Sequence, residues 1–315
     1  MFRTIVCPID FSEHSRQALR YAALLASRSR GRLIVLYVED PLLVNAAANA
    51  NYDAKTLIAS IEKDLARVVR RTTAPYDINM NLLSVQVAVG RPHAEIRSIA
   101  KKYGCDLIVM GSHGLRGPSR LMLGSTTHRV LRRVDIPVLA IPPVKGRTPP
   151  PAKKWPGSWV LAPVDIGAKD EHDSMNAALV ADAFGARLLL LHVVERADAT
   201  LWERLDLPRT NRHAVLKARA QARLDMLRAR TEAAVPTACR VVAGRPAEQI
   251  SAAAADREIG LVVMTRRRGQ GLFGPRQGAI SYEVLCSART PVLALPSDNN
   301  WIRRAASRNS KQPAA

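Results

Sequence analysis

Three glycines and a pair of hydroxyls carry the clearest chemistry in this sequence. Met110-Gly111-Ser112-His113-Gly114 is followed, after nine intervening residues, by Gly124-Ser125-Thr126, a G-x2-G-x9-G-S spacing. Gly111 and Gly114 permit backbone angles closed to other residues and let a ligand approach the main chain. Gly124 opens a helix, with Ser125 and Thr126 in its first turn. Free N–H groups at a helix start, with hydroxyls beside them, favour a phosphate. Arg116 and Arg120, in the intervening loop, add positive charge. His113 suits a loop residue better than a catalyst, and no catalytic residue is assigned. Upstream, Pro8-Ile9-Asp10 closes an apolar run, so that Asp10 either meets a ligand or caps the following turn.

The elements that must position these groups alternate regularly. Apolar runs at 3–9, 32–38, 82–88, 106–111 and 136–141 read as strands. Amphipathic stretches near 13–29, 54–73, 92–103 and 124–133 read as helices. Runs such as Leu107–Met110 are apolar throughout, as parallel strands buried on both faces require. Strand and helix in alternation predict a doubly wound α/β sheet, with ligands bound beyond the carboxyl ends of its strands.

The whole pattern occurs twice. TIVCPIDFSEHSRQALRYAALLA returns as WVLAPVDIGAKDEHDSMNAALVA, placing Asp10 against Asp165. RLIVLYVED pairs with RLLLLHVVE, GRPHAEI with GRPAEQI, CDLIVMGSHG with IGLVVMTRRR, and IPVLAIP with TPVLALP. Two homologous domains are expected, at 1–143 and 157–297. A Pro/Lys-rich linker joins them at 144–156, and a basic tail follows at 298–315, from which Trp301 and Ile302 can pack back.

With these residues in place, the first half resembles the universal stress protein family, whose ATP-binding motif has this spacing. The resemblance covers nearly the whole chain, twice. It implies two five-stranded parallel-sheet domains in tandem, each Rossmann-like and adenine nucleotide alpha hydrolase-like. It implies that Asp10 sits beside the adenosine and that Val38 reads adenine through its backbone. Gly111, Ser112, His113, Gly114, Arg116, Gly124, Ser125 and Thr126 would hold ribose and phosphates, and Pro8 and Met110 would line the pocket. The ligand would be ATP or another adenine nucleotide, with Mg2+ free to accompany the phosphates. Family members pair their last strand across a dimer. Ile136–Ile141 and Pro291–Leu295 would do so within one chain as a pseudo-dimer, which leaves room for a further homodimer.

The second half departs from the motif. Gly111 maps to Thr265, Gly114 to Arg268, Ser125 to Ala279 and Thr126 to Ile280, while Gly124 persists as Gly278. Side chains replace the glycines and the two hydroxyls are gone. Weak or absent ATP binding is expected there, although Asp165 and Val193 keep the adenosine end.

Bulk properties bound the remaining classes. Of 315 residues, 47 % are hydrophobic and 4 % aromatic, enough for two aliphatic cores. The net charge of +20 is shared by both halves and attracts phosphates or nucleic acid. The alternative to a nucleotide-binding stress regulator is therefore a basic scaffold for RNA, DNA or another polyanion. Four cysteines form no CxxC pair. No metal site is expected, and no stretch is long enough to span a membrane. Strand-like sequence from Arg3 leaves no room for a signal peptide, so a cytoplasmic location is expected. GxxxxGK[ST], GxSxG and HExxH are absent, as are the HIGH and SGG motifs of related nucleotidyl-transfer enzymes. A non-enzymatic role follows, with slow ATP hydrolysis left open.

Overall fold

The computed structural model describes residues 2–50, 53–113, 122–143, 155–167, 169–195, 209–266, 278–298 and 301. They fall into two compact units, one of residues 1–153 and 294–315 and one of 154–293. In the first unit the strands are β1 (Thr4–Ile9), β2 (Arg32–Glu39), β3 (Leu83–Val89), β4 (Leu107–Gly111) and β5 (Val138–Ile141). Its helices are α1 (Glu13–Ser29), α2 (Pro41–Asn49), α3 (Ala54–Thr73), α4 (Pro92–Lys102) and α5 (Ser125–Arg133). The strand order is β3-β2-β1-β4-β5, and every pairing is parallel. Ile5, Leu33, Ile34, Leu107, Ile108 and Val138 are fully enclosed at its centre.

Local chemistry explains the helix ends. Ser12 caps α1 by accepting from the Ser15 N–H at 3.1 Å. Asp53 caps α3, and Pro92 opens α4 where its missing N–H costs nothing. Ala18, Ala22, Ala23 and Ala26 give α1 a flat buried face that lies close on the sheet. Helix α2 has no sequence counterpart in the expectations above. Its PLLVNAAAN run lacks a helical apolar stripe, and Leu42 and Leu43 stand exposed.

The second unit repeats the plan with β6 (Trp159–Pro163), β7 (Arg187–Val194), β8 (Thr237–Ala243) and β9 (Ile259–Arg266), while β10 (Val292–Pro296) begins at its last two residues and has its remaining three in the first unit. Its helices are α6 (Asp170–Phe184), α7 (Arg209–Thr231), α8 (Pro246–Ala254) and α9 (Gly278–Ser287). The order runs β8-β7-β6-β9 in parallel, and the Val262 N–H on β9 donates to the Pro291 carbonyl just before β10.

The repeats close the start of their first strand differently. In the first unit buried Asp106 accepts from the N–H groups of Arg3 and Thr4, at 2.9 and 3.0 Å. The equivalent residue is Gly260, and a Cβ there would lie 1.8 Å from the Pro156 carbonyl oxygen. The chain at Trp155-Pro156 takes the place of a side chain. Trp155 donates from Nε1 to the Gly260 carbonyl at 3.0 Å and meets Phe184 edge-on at 5.2 Å. Trp301, assigned to the tail by composition, is buried. Residues 302–315 lie outside the described residues. Cys7, Cys105 and Cys286 are buried and Cys239 partly so, all as free thiols.

Between α4 and α5, Arg133 donates to Nε2 of buried His93 at 2.5 Å. Burial first, then the charges of Arg133, Arg129 and Arg91, hold His93 below its usual pKa, so the folded protein keeps it neutral. The unfolded chain takes up that proton near pH 6.5 while the native state resists it. Stability is therefore unaffected above that pH and declines as pH falls below it. We expect His93→Gln, which keeps an acceptor and cannot titrate, to reduce the drop in urea midpoint between pH 7.5 and pH 5. An unchanged drop would assign it to other groups.

Candidate nucleotide site

Strand order reverses at β1 and β4, because β1 leads outward to β2 and β3 while β4 leads to β5 on the other side. Such a switch point opens a crevice past the carboxyl ends of the two strands. Pairing between β1 and β4 is registered at Ile5–Leu107 and Val6–Ile108, whereas the strands run on to Ile9 and Gly111. Asp10, Gly111, Ser112 and His113 follow directly from these ends.

Asp10 is half-buried. Its Oδ1 accepts from the Ser12 N–H at 3.1 Å and the Ser12 hydroxyl at 2.5 Å, and its N–H donates to the Ser15 hydroxyl. One carboxylate oxygen thus builds the turn into α1, and Oδ2 takes no hydrogen bond among the described residues. Both readings of Asp10 fit this geometry. Pro8 is half-buried and Met110 buried. The β1–β2 register ends with Ile9 opposite Tyr37, which leaves Val38 beyond the end of β1.

Two aromatic residues that no sequence motif marks stand beside Asp10 and Val38 in the chain. Phe11 and Tyr37 meet with ring centroids 4.9 Å apart. Phe11 holds a φ of 61°, the left-handed region that bulky residues seldom enter. The Tyr37 hydroxyl donates to Glu39 at 3.3 Å, and burial followed by the Glu39 charge pushes its pKa up to about 12. Nothing in the spacing of Phe11 and Tyr37 distinguishes them from core residues.

At the other side, the Gly-rich segment folds back on itself. The Gly124 N–H donates to the Ser112 carbonyl at 2.8 Å, and the Ser112 N–H donates to Ile141 on β5. The Thr127 hydroxyl donates to the Gly111 carbonyl at 2.8 Å. Thr127 therefore fastens α5 to β4, a role hidden by its place in a row of three hydroxyl residues. Gly124 is the N-cap of α5 and supplies no side-chain cap. Ser125 is exposed and Thr126 half-exposed in the first helical turn. This helix start offers N–H donors and hydroxyls together.

Two sequence readings need correction. Gly111 does not hold a left-handed backbone angle, since its φ lies outside the positive region. A Cβ there would instead crowd the His113 carbonyl oxygen at 3.1 Å and meet the His14 backbone at an ordinary contact distance of 3.4 Å, so the glycine makes room chiefly for the turn at His113. His113 is not a solvated loop residue. It is buried, with Nδ1 2.8 Å from the Ser112 hydroxyl, which is itself buried. Gly114, Arg116 and Arg120 lie outside the described residues.

The corresponding place in the second unit is a cavity of about 110 Å³. Asp165, His192, Val193, Thr265, Ile280 and Ser281 line it. Ligand pockets usually occupy about 300–1,000 Å³, so this cavity is small for a nucleotide. Thr265 stands where the first unit has Gly111, and Ser281 where it has Thr127. The His192 ring, in the place of Tyr37, binds the Val164 carbonyl through Nδ1 at 2.8 Å. Arg268 and the side chain of Ala279 lie outside the described residues. Among the described residues no cluster of His, Cys, Asp or Glu could hold a metal ion, and no helix is long and apolar enough to cross a membrane.

A doubly wound parallel fold with a switch point, repeated in tandem, defines a two-domain α/β protein of Rossmann-like class. The Universal stress protein family profile matches residues 1–142 and again 160–296. The chain belongs to the universal stress protein family as a tandem two-domain member. It is 28 % identical over 165 residues to universal stress protein MJ0577 of Methanocaldococcus jannaschii, covering 45 % of this chain and 95 % of that protein. It is 30 % identical over 147 residues to universal stress protein YxiE of Bacillus subtilis, covering 45 % and 99 %. The crystal structure of a universal stress protein from Archaeoglobus fulgidus superposes with a TM-score of 0.64 at 19 % identity, covering 94 % of this chain and 98 % of that one, which speaks to the fold.

Proposed function

We propose that the protein is a stress-response regulator whose first domain holds an adenine nucleotide and whose second domain serves as its scaffold. The observation that carries this is the uncapped start of α5, brought back to the end of β4 beside the crevice at Asp10. The second domain supports the reading by contrast, with Thr265 in the place of Gly111 and Ile280 in the place of Thr126. Bound nucleotide would act by favouring one of two states of the protein, which requires different affinities for them. Mg2+ would arrive with the phosphates, and the proposed role is binding rather than turnover.

The test is to purify the protein, denature it and identify any released nucleotide by chromatography. The parent should release near-stoichiometric adenine nucleotide. Gly114→Arg, which copies Arg268 into the first domain, should release none. Ser125→Asp provides a variant that folds readily, because an acid in the first turn suits the helix dipole. It sets a negative charge against the phosphates and should weaken ATP binding by roughly tenfold or more. A parent that is empty and also fails to bind added ATP would overturn the reading.

A further inference from the structure

Helices α4 and α5 pack side by side, joined where Arg133 on α5 reaches His93 on α4. Their outer face carries Arg97, Lys101, Lys102, Arg129, Arg132 and Arg133, all exposed. Arg97 and Lys101 are four apart on α4, and Arg129, Arg132 and Arg133 share one face of α5. Glu95 is the lone carboxylate on either helix. Among the described residues, none of the six cations forms an ion pair with a carboxylate. Like charges held this close repel each other, so the arrangement costs stability unless an anion covers it.

The second unit is an internal control. The same six positions on α8, the turn after it and α9 are Ser251, Ala255, Asp256, Glu283, Cys286 and Ser287. The same two helices form without a single cation at these positions. The fold therefore does not require the charges, and they sit on one repeat only.

We infer that the α4–α5 face of the first unit is a docking surface for the phosphate backbone of a nucleic-acid duplex. Three observations select this occupant. Helix α4 alone is about 16 Å long, which spans roughly five base-pair steps of a duplex. Single strands bind through aromatic platforms, whereas Tyr103 is the aromatic residue at this edge and its ring already faces Lys102 at 5.3 Å. A lipid surface calls for apolar side chains to insert, and no large exposed hydrophobic residue lies on α4 or α5. Contacts of this kind read no sequence and weaken with salt.

The experiment uses the full chain and a short fluorescent duplex, in DNA and RNA forms, followed by anisotropy over a range of salt. The face is altered by Arg97→Ser, Lys101→Ala and Arg132→Ala together. A charge-matched control carries Lys217→Ser, Arg219→Ser and Arg228→Ser, exposed positions on α7. The parent should bind, the face variant should bind roughly tenfold or more weakly, and its salt slope should fall by about three. The control should stay within about twofold of the parent. Arg132→Ala alone should lower the slope by about one, which keeps the test open if the triple variant does not fold. Equal weakening of both triple variants would reduce the effect to net charge and overturn the inference. So would a parent that ignores both duplexes, or one that prefers phosphatidylserine vesicles to either.

Discussion

Asp170→Ala is expected to lower the stability of the second unit by about 3 kcal/mol, the scale of a lost charge-assisted hydrogen bond at a buried site. Asp170 is 2 % exposed and opens α6. Both of its oxygens are engaged by Arg223 of α7, at 2.8 and 2.9 Å, and it also accepts from the N–H groups of Gly167 and Glu171. Glu171 adds contacts to Arg223 and Arg230, so the start of α6 holds the C-terminal turns of α7. Removing the carboxylate loses this clasp and the negative charge at a helix N-terminus. The pH dependence has a definite sign. The hydrogen bond from Arg223, acting against burial, leaves the Asp170 carboxyl below its usual pKa. Its contribution is complete above about pH 4 and is lost as pH falls through the lowered value. Parent and variant should therefore converge in acid. Urea unfolding at pH 7 and pH 3 measures both, and a constant gap between the two proteins would refute the linkage.

The second large effect is expected from Gly260→Ala. The new methyl would enter the space of the Pro156 carbonyl oxygen, with the Pro156 carbonyl carbon only 2.4 Å away. Backbone cannot yield as a flexible side chain does, so either β9 shifts or Trp155 leaves its place against Phe184. Overpacking of this kind costs about 1–3 kcal/mol. The urea midpoint should fall with its slope unchanged, and hydrogen exchange should quicken at β6 and at Trp155. An alanine tolerated without change would mean that Trp155-Pro156 contributes nothing to the unit.

The sequence reading and the structure agree most closely where periodicity is strong. Helices α1 and α3 occupy the residues expected from their apolar stripes, and β1 to β5 lie within two residues of the expected runs. Helix α2 is not legible because its PLLVNAAAN run, apolar but for Asn45 and Asn49, has no helical period to read. The site was legible as a spacing but not as a mechanism. Glycine at 111 answers to the His113 carbonyl oxygen, 3.1 Å from where a Cβ would stand, a closeness set by the folded turn after β4. Asp106 with Arg3, Asp170 with Arg223 and His93 with Arg133 are likewise pairs that only the fold brings together. The cationic residues of α4 and α5 were visible as charge. That they share one surface follows from the packing of two helices separated in sequence by β4.

The four thiols have a consequence for how this protein meets oxidants. Peroxide attacks thiolates, and a cysteine senses it only when it is ionised and reachable. Burial pushes the Cys7 thiol far above its usual pKa and raises Cys239, the least enclosed of the four, to about 11. At neutral pH about one Cys239 in ten thousand is then ionised. Cys105 and Cys286 are sealed in the interior. None of the four cysteines offers an exposed thiolate, so the sulfur that peroxide reaches most readily among the described residues is that of the exposed Met80, Met122 and Met226, and the thiols should survive peroxide that inactivates thiol-dependent neighbours.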